Sequence, residues 1–193
     1  MNKLDENVRE LIKMTQPGTN AQPEPWLRGT LTEVPAVQRA VLHALELARE
    51  DLERWCEGLS DPELNARPGG IPPVAFHLRH ITRSTDRLLT YAEGGQLSPD
   101  QIAAMKTELD PGATRNELLA ELVVGFSKSV RRIRAFSVPR LQEERYVGKK
   151  QLPSSVGGLL VHIADHTQRH VGQAITTAKI IRAQRHQSDA DEA

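Results

Sequence analysis

Apolar residues recur at helical spacing in four long stretches, and no stretch alternates cleanly enough to read as a half-buried strand. In the first, Val34, Val37, Val41, Leu45, Ala48, Leu52, Trp55 and Leu59 follow at steps of three and four, a bundle seam several turns long. This helix starts near Thr32 and ends at Gly58, while His43 falls off the seam and is expected on the surface. The second helix runs from about Pro72 to Ala92, with an inward stripe of His77, His80, Ile81, Ser84, Leu88 and Tyr91 within about 100° of arc. The third opens at the capping signature Thr114-Arg-Asn-Glu117 and carries a seam of Leu119, Leu122, Val123, Phe126, Val130 and Ile133. Pro153-Ser-Ser opens the last helix, which is expected to run to about Ala183.

The intervening segments read as connections. Ser60-Asp-Pro-Glu63 and Ser98-Pro-Asp-Gln101 are capping boxes that start short helical pieces within 60–66 and 99–109, and residues 137–153 form a polar link. The pattern predicts an all-α protein, an antiparallel four-helix bundle over residues 31–185. Residues 1–30 form an arm and linker. Leu4, Val8, Leu11 and Ile12 sketch an amphipathic turn that docks on the bundle or on a second subunit, or frays, and TQPGTNAQPEP at 15–25 is linker by composition. The tail from residue 186 to 193 reads as disordered.

Composition narrows the function classes. The 193 residues fit one domain with a real core, and 25 basic residues balance 25 acidic ones. A neutral total gives no electrostatic case for nucleic acid or an anionic membrane, and no apolar run approaches the ~20 residues of a membrane span. Cys56 is the single cysteine, so no disulfide forms within the chain, which fits a cytoplasmic setting; it lies on an apolar stripe and reads as a small core residue. The start of the chain, MNKLDENVRELIKM, is too polar for a signal peptide.

The candidate chemistry lies in the histidines. Three of the seven, His162, His166 and His170, stand four apart in the last helix. With Val156 at zero on the helical wheel, Leu160, Ile163, Thr167, Ala174, Ala178 and Ile181 cluster within about 40° of it, and His170, His166 and His162 fall about 40°, 80° and 120° away. His166 and His170 therefore flank the buried stripe and His162 looks outward. Two helix-surface imidazoles bonded to their neighbours are the plainer alternative for such spacing. The inward His80 shifts the balance, because three neutral rings in a bundle interior need partners and one divalent metal satisfies all three.

Three histidines leave coordination positions free, as catalytic sites do. Imidazole ligation suits zinc, nickel, copper or iron. His77 rivals His80 as the ligand or stands beside it as a supporting partner, and Tyr91 is a second candidate for a supporting role. Asp165, Gln168 and Gln173 read as packing or surface residues. No nucleophile triad, phosphate-cradling glycine loop or dinucleotide fingerprint is present.

The segments PVAFHLRHITRSTDRLLTYAEG (73–94) and LPSSVGGLLVHIADHTQRHVGQ (152–173) closely resemble the DinB-like superfamily, and the likeness runs over most of residues 31–183. That group takes in damage-inducible proteins, metal-dependent hydrolases and bacillithiol or mycothiol S-transferases. The resemblance implies a four-helix bundle with an up-down-down-up course. It also implies a divalent metal (zinc, nickel or iron) on His80, His166 and His170, and often a homodimer. The implied activity is transfer to, or hydrolysis of, a small electrophilic substrate, with a low-molecular-weight thiol or water as nucleophile. A non-catalytic metal-binding bundle that serves stress responses or interactions is the alternative. The 30-residue arm departs from the transferase members, and no thiol-cofactor signature is visible.

Overall fold

The structure is a computed structural model that describes residues 22–191. The amphipathic pattern at Leu4, Val8, Leu11 and Ile12 lies outside the described residues. Four long helices carry the fold: α1 (Ala36–Cys56), α3 (Val74–Ala92), α5 (Arg115–Arg134) and α6 (Val156–Asp191), with short α2 (Asp61–Asn65) and α4 (Pro99–Lys106) in the connections. All three capping boxes read from the sequence are made. Ser60, Ser98 and Thr114 each accept from the backbone three residues on, and Glu63, Gln101 and Glu117 return a bond to the cap.

Hydrogen bonds between helices fix their directions. Gln168 donates to the Ala44 carbonyl and Arg182 to that of Trp55, so α1 and α6 lie side by side and parallel. Arg83 reaches Glu121 and Arg132 reaches Glu93, so α3 and α5 are parallel too. Gln38 at the start of α1 donates to the Phe136 carbonyl just past α5, and Thr177 of α6 donates to Pro72 just before α3, so these pairs are antiparallel. The core fills the space between them with Leu45, Leu52, Leu78, Ile81, Leu89, Leu122, Ile133, Leu160 and Ile163, all at 1% exposure or less. Gly125 marks the closest approach of α3 and α5. A Cβ there would overlap the Thr82 methyl, so only glycine lets the two helices meet at that depth.

The seams of the first and last helices hold. Val41, Leu45, Ala48 and Leu52 are buried, as are Val156, Leu160, Ile163, Thr167, Ala174, Ala178 and Ile181. Cys56 is buried, and burial pushes its thiol up to about 11, which suits the small core residue expected of it.

Four expectations are corrected. The α5 seam runs through Leu118, Leu122, Phe126, Ser129 and Ile133, while Val123 is 43% exposed at the rim of an apolar groove against α1. His43 is buried, not on the surface, and its Nε2 lies 3.1 Å from the Thr30 hydroxyl. The cause is the segment before α1, which folds back along that helix. Pro25 is buried, and Arg28 holds Glu50 at 2.6 Å and Glu46 at 3.2 Å. The polar link before α6 contains an antiparallel hairpin, β1 (Glu144–Val147) with β2 (Leu152–Ser155), turned by Gly148 and Gln151 at φ 70° and 49°. Finally, α6 continues to Asp191 where the sequence pattern suggested an end near Ala183 and a disordered tail.

Candidate metal centre

The site forms where α3 crosses the middle of α6. Ser155 caps α6 by accepting from the Gly158 N–H at 3.0 Å, and the helix then keeps Val156, Leu160 and Ile163 in the core. That phase leaves His166 and His170 half-buried at the edge of the apolar stripe, facing α3. On α3, Ile81 and Leu78 anchor the core face and turn His77 and His80 toward α6.

The donor nitrogens of His80, His166 and His170 all lie within 4.8 Å of one another. His80 Nε2 stands 2.9 Å from His166 Nε2, and the ring centroid of His170 is 4.4 Å from that of His80 and 4.5 Å from that of His166. Two imidazole nitrogens bound about 2.1 Å from one ion stand roughly 3 Å apart at a right angle, so the spacing fits shared coordination. Among the described residues no other carboxylate, thiol or imidazole donor joins this group.

Protonation also fits. Burial, then the facing rings of His170, His80 and His162 and the charge of Arg169, hold His166 down to about 4. Burial, then His80 and Arg169, likewise hold His170 at about 4. Both rings are therefore neutral at pH 7 and each keeps the lone pair that a metal requires.

The supporting residues are only partly those the sequence suggested. His77, 2% exposed, places its Nδ1 3.2 Å from Nδ1 of His170, and burial followed by the His170 and His80 rings keeps it at about 4. It touches a ligand candidate and is not one of the converging three. Tyr91 is buried but stands eleven residues beyond His80 on α3, about 16 Å along the axis, and has no part in the cluster. His162 is exposed, with its Nδ1 3.9 Å from Asp165, as the wheel required. Gln168 is engaged with α1 and Asp165 with Arg169, which leaves them structural.

Two residues were missed by sequence reasoning. Glu108, from the link after α4, places Oε2 2.7 Å from His80 Nδ1 and Oε1 2.7 Å from Arg87 Nη1. Burial opposes its charge, but the bonds from His80 and Arg87 outweigh that and hold its carboxyl below the usual range. Phe76 stacks on the His80 ring at 5.2 Å and meets His77 edge-on at 5.1 Å, forming an apolar wall. A lone Glu in an exposed connection and a Phe directly before His77, one turn from His80, carry no spacing signal that would single them out.

Residues 44–174 match the sequence pattern of the DinB superfamily. The chain belongs to the DinB superfamily. A solved structure, that of a conserved protein from Enterococcus faecalis, superposes with a TM-score of 0.64 at 16% identity, covering 77% of this chain and 99% of its own. That likeness is one of fold alone. No curated protein matches the chain. In this DinB superfamily member, then, a partly buried three-histidine cluster forms a candidate metal site, and no helix among the described residues is long and apolar enough to cross a membrane.

Proposed function

We propose that this protein is a divalent-metal-dependent enzyme, with His80, His166 and His170 as ligands, that brings a thiol or a water to bear on a small electrophilic substrate. One observation carries the reading: the described residues supply three converging imidazole nitrogen donors and no fourth, which leaves part of an ion's shell for a guest. A divalent ion held there supplies Lewis acidity and lowers the pKa of a thiol or water toward neutrality.

The chain's own residues define the rest. Ionised Glu108 can only accept, so it takes the Nδ1–H of His80 and leaves Nε2 with its lone pair. For His170 to ligate through Nε2, its Nδ1–H donates to Nδ1 of His77, which makes His77 the acceptor that orients this ring. Phe76 shields one side of the His80 ring from water. Zinc, nickel and iron all suit this donor set. A low-molecular-weight thiol as cosubstrate, a homodimer and a cytoplasmic setting complete the proposal. Supporting the last is the lone, buried Cys56.

The experiment compares zinc-loaded protein, chelated protein and the His80→Ala/His166→Ala/His170→Ala variant, each with a chlorodinitrobenzene-type electrophile and a small thiol. Turnover confined to the loaded wild type is expected. Zinc bound by the wild type with no turnover of thiol or ester substrates would reject catalysis and leave a non-catalytic metal-binding bundle.

A further inference from the structure

Residues 93–112 leave the bundle after α3 and return at α5, and α4 within them buries no side chain. Ile102 and Met105 are 39% and 44% exposed, and only Leu97 of the strap's apolar side chains packs, partly buried, against the core, so apolar packing holds little of this segment. It is held by arginines. Arg79, Arg83 and Arg87 stand four apart on one face of α3, and each reaches the strap. Arg79 donates to the Asp110 carbonyl. Arg83 donates to the Ala104 carbonyl at 2.7 Å and the Thr107 hydroxyl at 3.0 Å. Arg87 donates to Glu108 at 2.7 Å. Gln101 adds a bond back to Thr90 at 2.8 Å, and Asn65 grips the far end through Gly112 N–H and the Ala113 carbonyl.

Within this strap Glu108 alone is buried, at 5% exposure. A segment without a core of its own, pinned by a ladder of charged donors, thus delivers one carboxylate to one ring nitrogen. We infer that Glu108, fixed by the strap and by Arg87, is a positioning residue that holds His80 in the Nδ1–H form and so keeps its Nε2 free to ligate. The inference rests on His80 being a ligand, but the hydrogen-bond state of the ring can be measured without any ion.

Arg87 makes the test specific. It donates to Oε1, so in Glu108→Gln the single amide oxygen faces Arg87 and the amide NH₂ faces His80. Nδ1 of His80 must then accept, and the proton moves to Nε2. Long-range ¹H–¹⁵N spectra of the metal-free protein read this directly. The wild type is expected to show His80 protonated at Nδ1, and Glu108→Gln at Nε2, with circular dichroism verifying the fold. Zinc affinity, measured by chelator competition, should fall about 10–100-fold in Glu108→Gln. Adding Arg87→Met frees the amide to turn its oxygen to His80, and the Nδ1–H form and part of the affinity should return. A structural role alone would not produce that reversal.

A wild-type His80 protonated at Nε2 overturns the inference, as does a folded Glu108→Gln protein with unchanged tautomer and unchanged zinc affinity. Failure of the wild type to bind zinc would reject the metal reading instead, and the spectra would still decide the positioning role.

Discussion

Two seams of this bundle are built by opposite rules. Where α1 meets α5, Leu42, Leu45, Phe126 and Val130 pack mainly through apolar contact, with Val123 at the rim and one buried polar bond, from Gln38 to the Phe136 carbonyl, at the end of the seam. Where α3 meets α6, four imidazoles and a carboxylate, ranging from buried His77 and Glu108 to half-buried His166 and His170, are each bonded to another member of the group. The first seam stabilises through area removed from water. The second gains little from burial and needs its polar atoms satisfied, since unpaired ones cost free energy. The α1–α5 seam and the shared core therefore hold the molecule together, while the α3–α6 seam holds a site whose stability depends on pH and on what binds.

The largest expected effect separates the two. Leu45→Ala, at 1% exposure, should cost about 2–5 kcal/mol in urea unfolding yet leave the zinc affinity of the folded fraction unchanged. Next, zinc at about a hundred times its Kd should raise wild-type stability by about 2.7 kcal/mol. His166→Ala should abolish that gain while changing metal-free stability far less than Leu45→Ala does. A His166→Ala protein that zinc still stabilises fully would break the contrast.

The third effect is pH. His77, His166 and His170 are held at about 4 in the folded protein, below the ordinary 6.5. As pH falls below about 6.5 the unfolded chain takes up protons that the folded one refuses, so stability is full above that value and declines toward pH 4. Thermal melts of metal-free protein should show this decline, and a variant with all three replaced by Gln should flatten it. The smallest effect concerns His162, half-exposed and spaced like its neighbours. His162→Ala should shift stability by less than about 0.5 kcal/mol and leave zinc affinity intact.

The sequence made the last helix legible because one phase satisfies seven buried positions at once, and that phase sorted His162 from His166 and His170. The same logic put both His77 and His80 on the inward stripe of α3, and the choice of His80 between them came from the family resemblance. It failed where burial comes from a segment that returns from elsewhere. His43 is off the α1 seam, and it meets Thr30 of the segment that folds back along α1. Glu108 lies in a connection with no periodicity, and its burial depends on arginines of α3 that pattern alone cannot pair with it. Val123 and Leu118 exchanged roles because α5 packs on both α3 and α1, and a single wheel does not say which side is closed. The hairpin is too short, at four residues a strand, to register as alternation.

The most direct test of the central claim is anomalous diffraction at the zinc edge from crystals grown with zinc. One strong peak between α3 and α6, about 2.1 Å from a ring nitrogen of each of His80, His166 and His170, is the predicted result. A peak that sits on other residues, or density showing the three rings bonded only to one another with no peak between them, would contradict it.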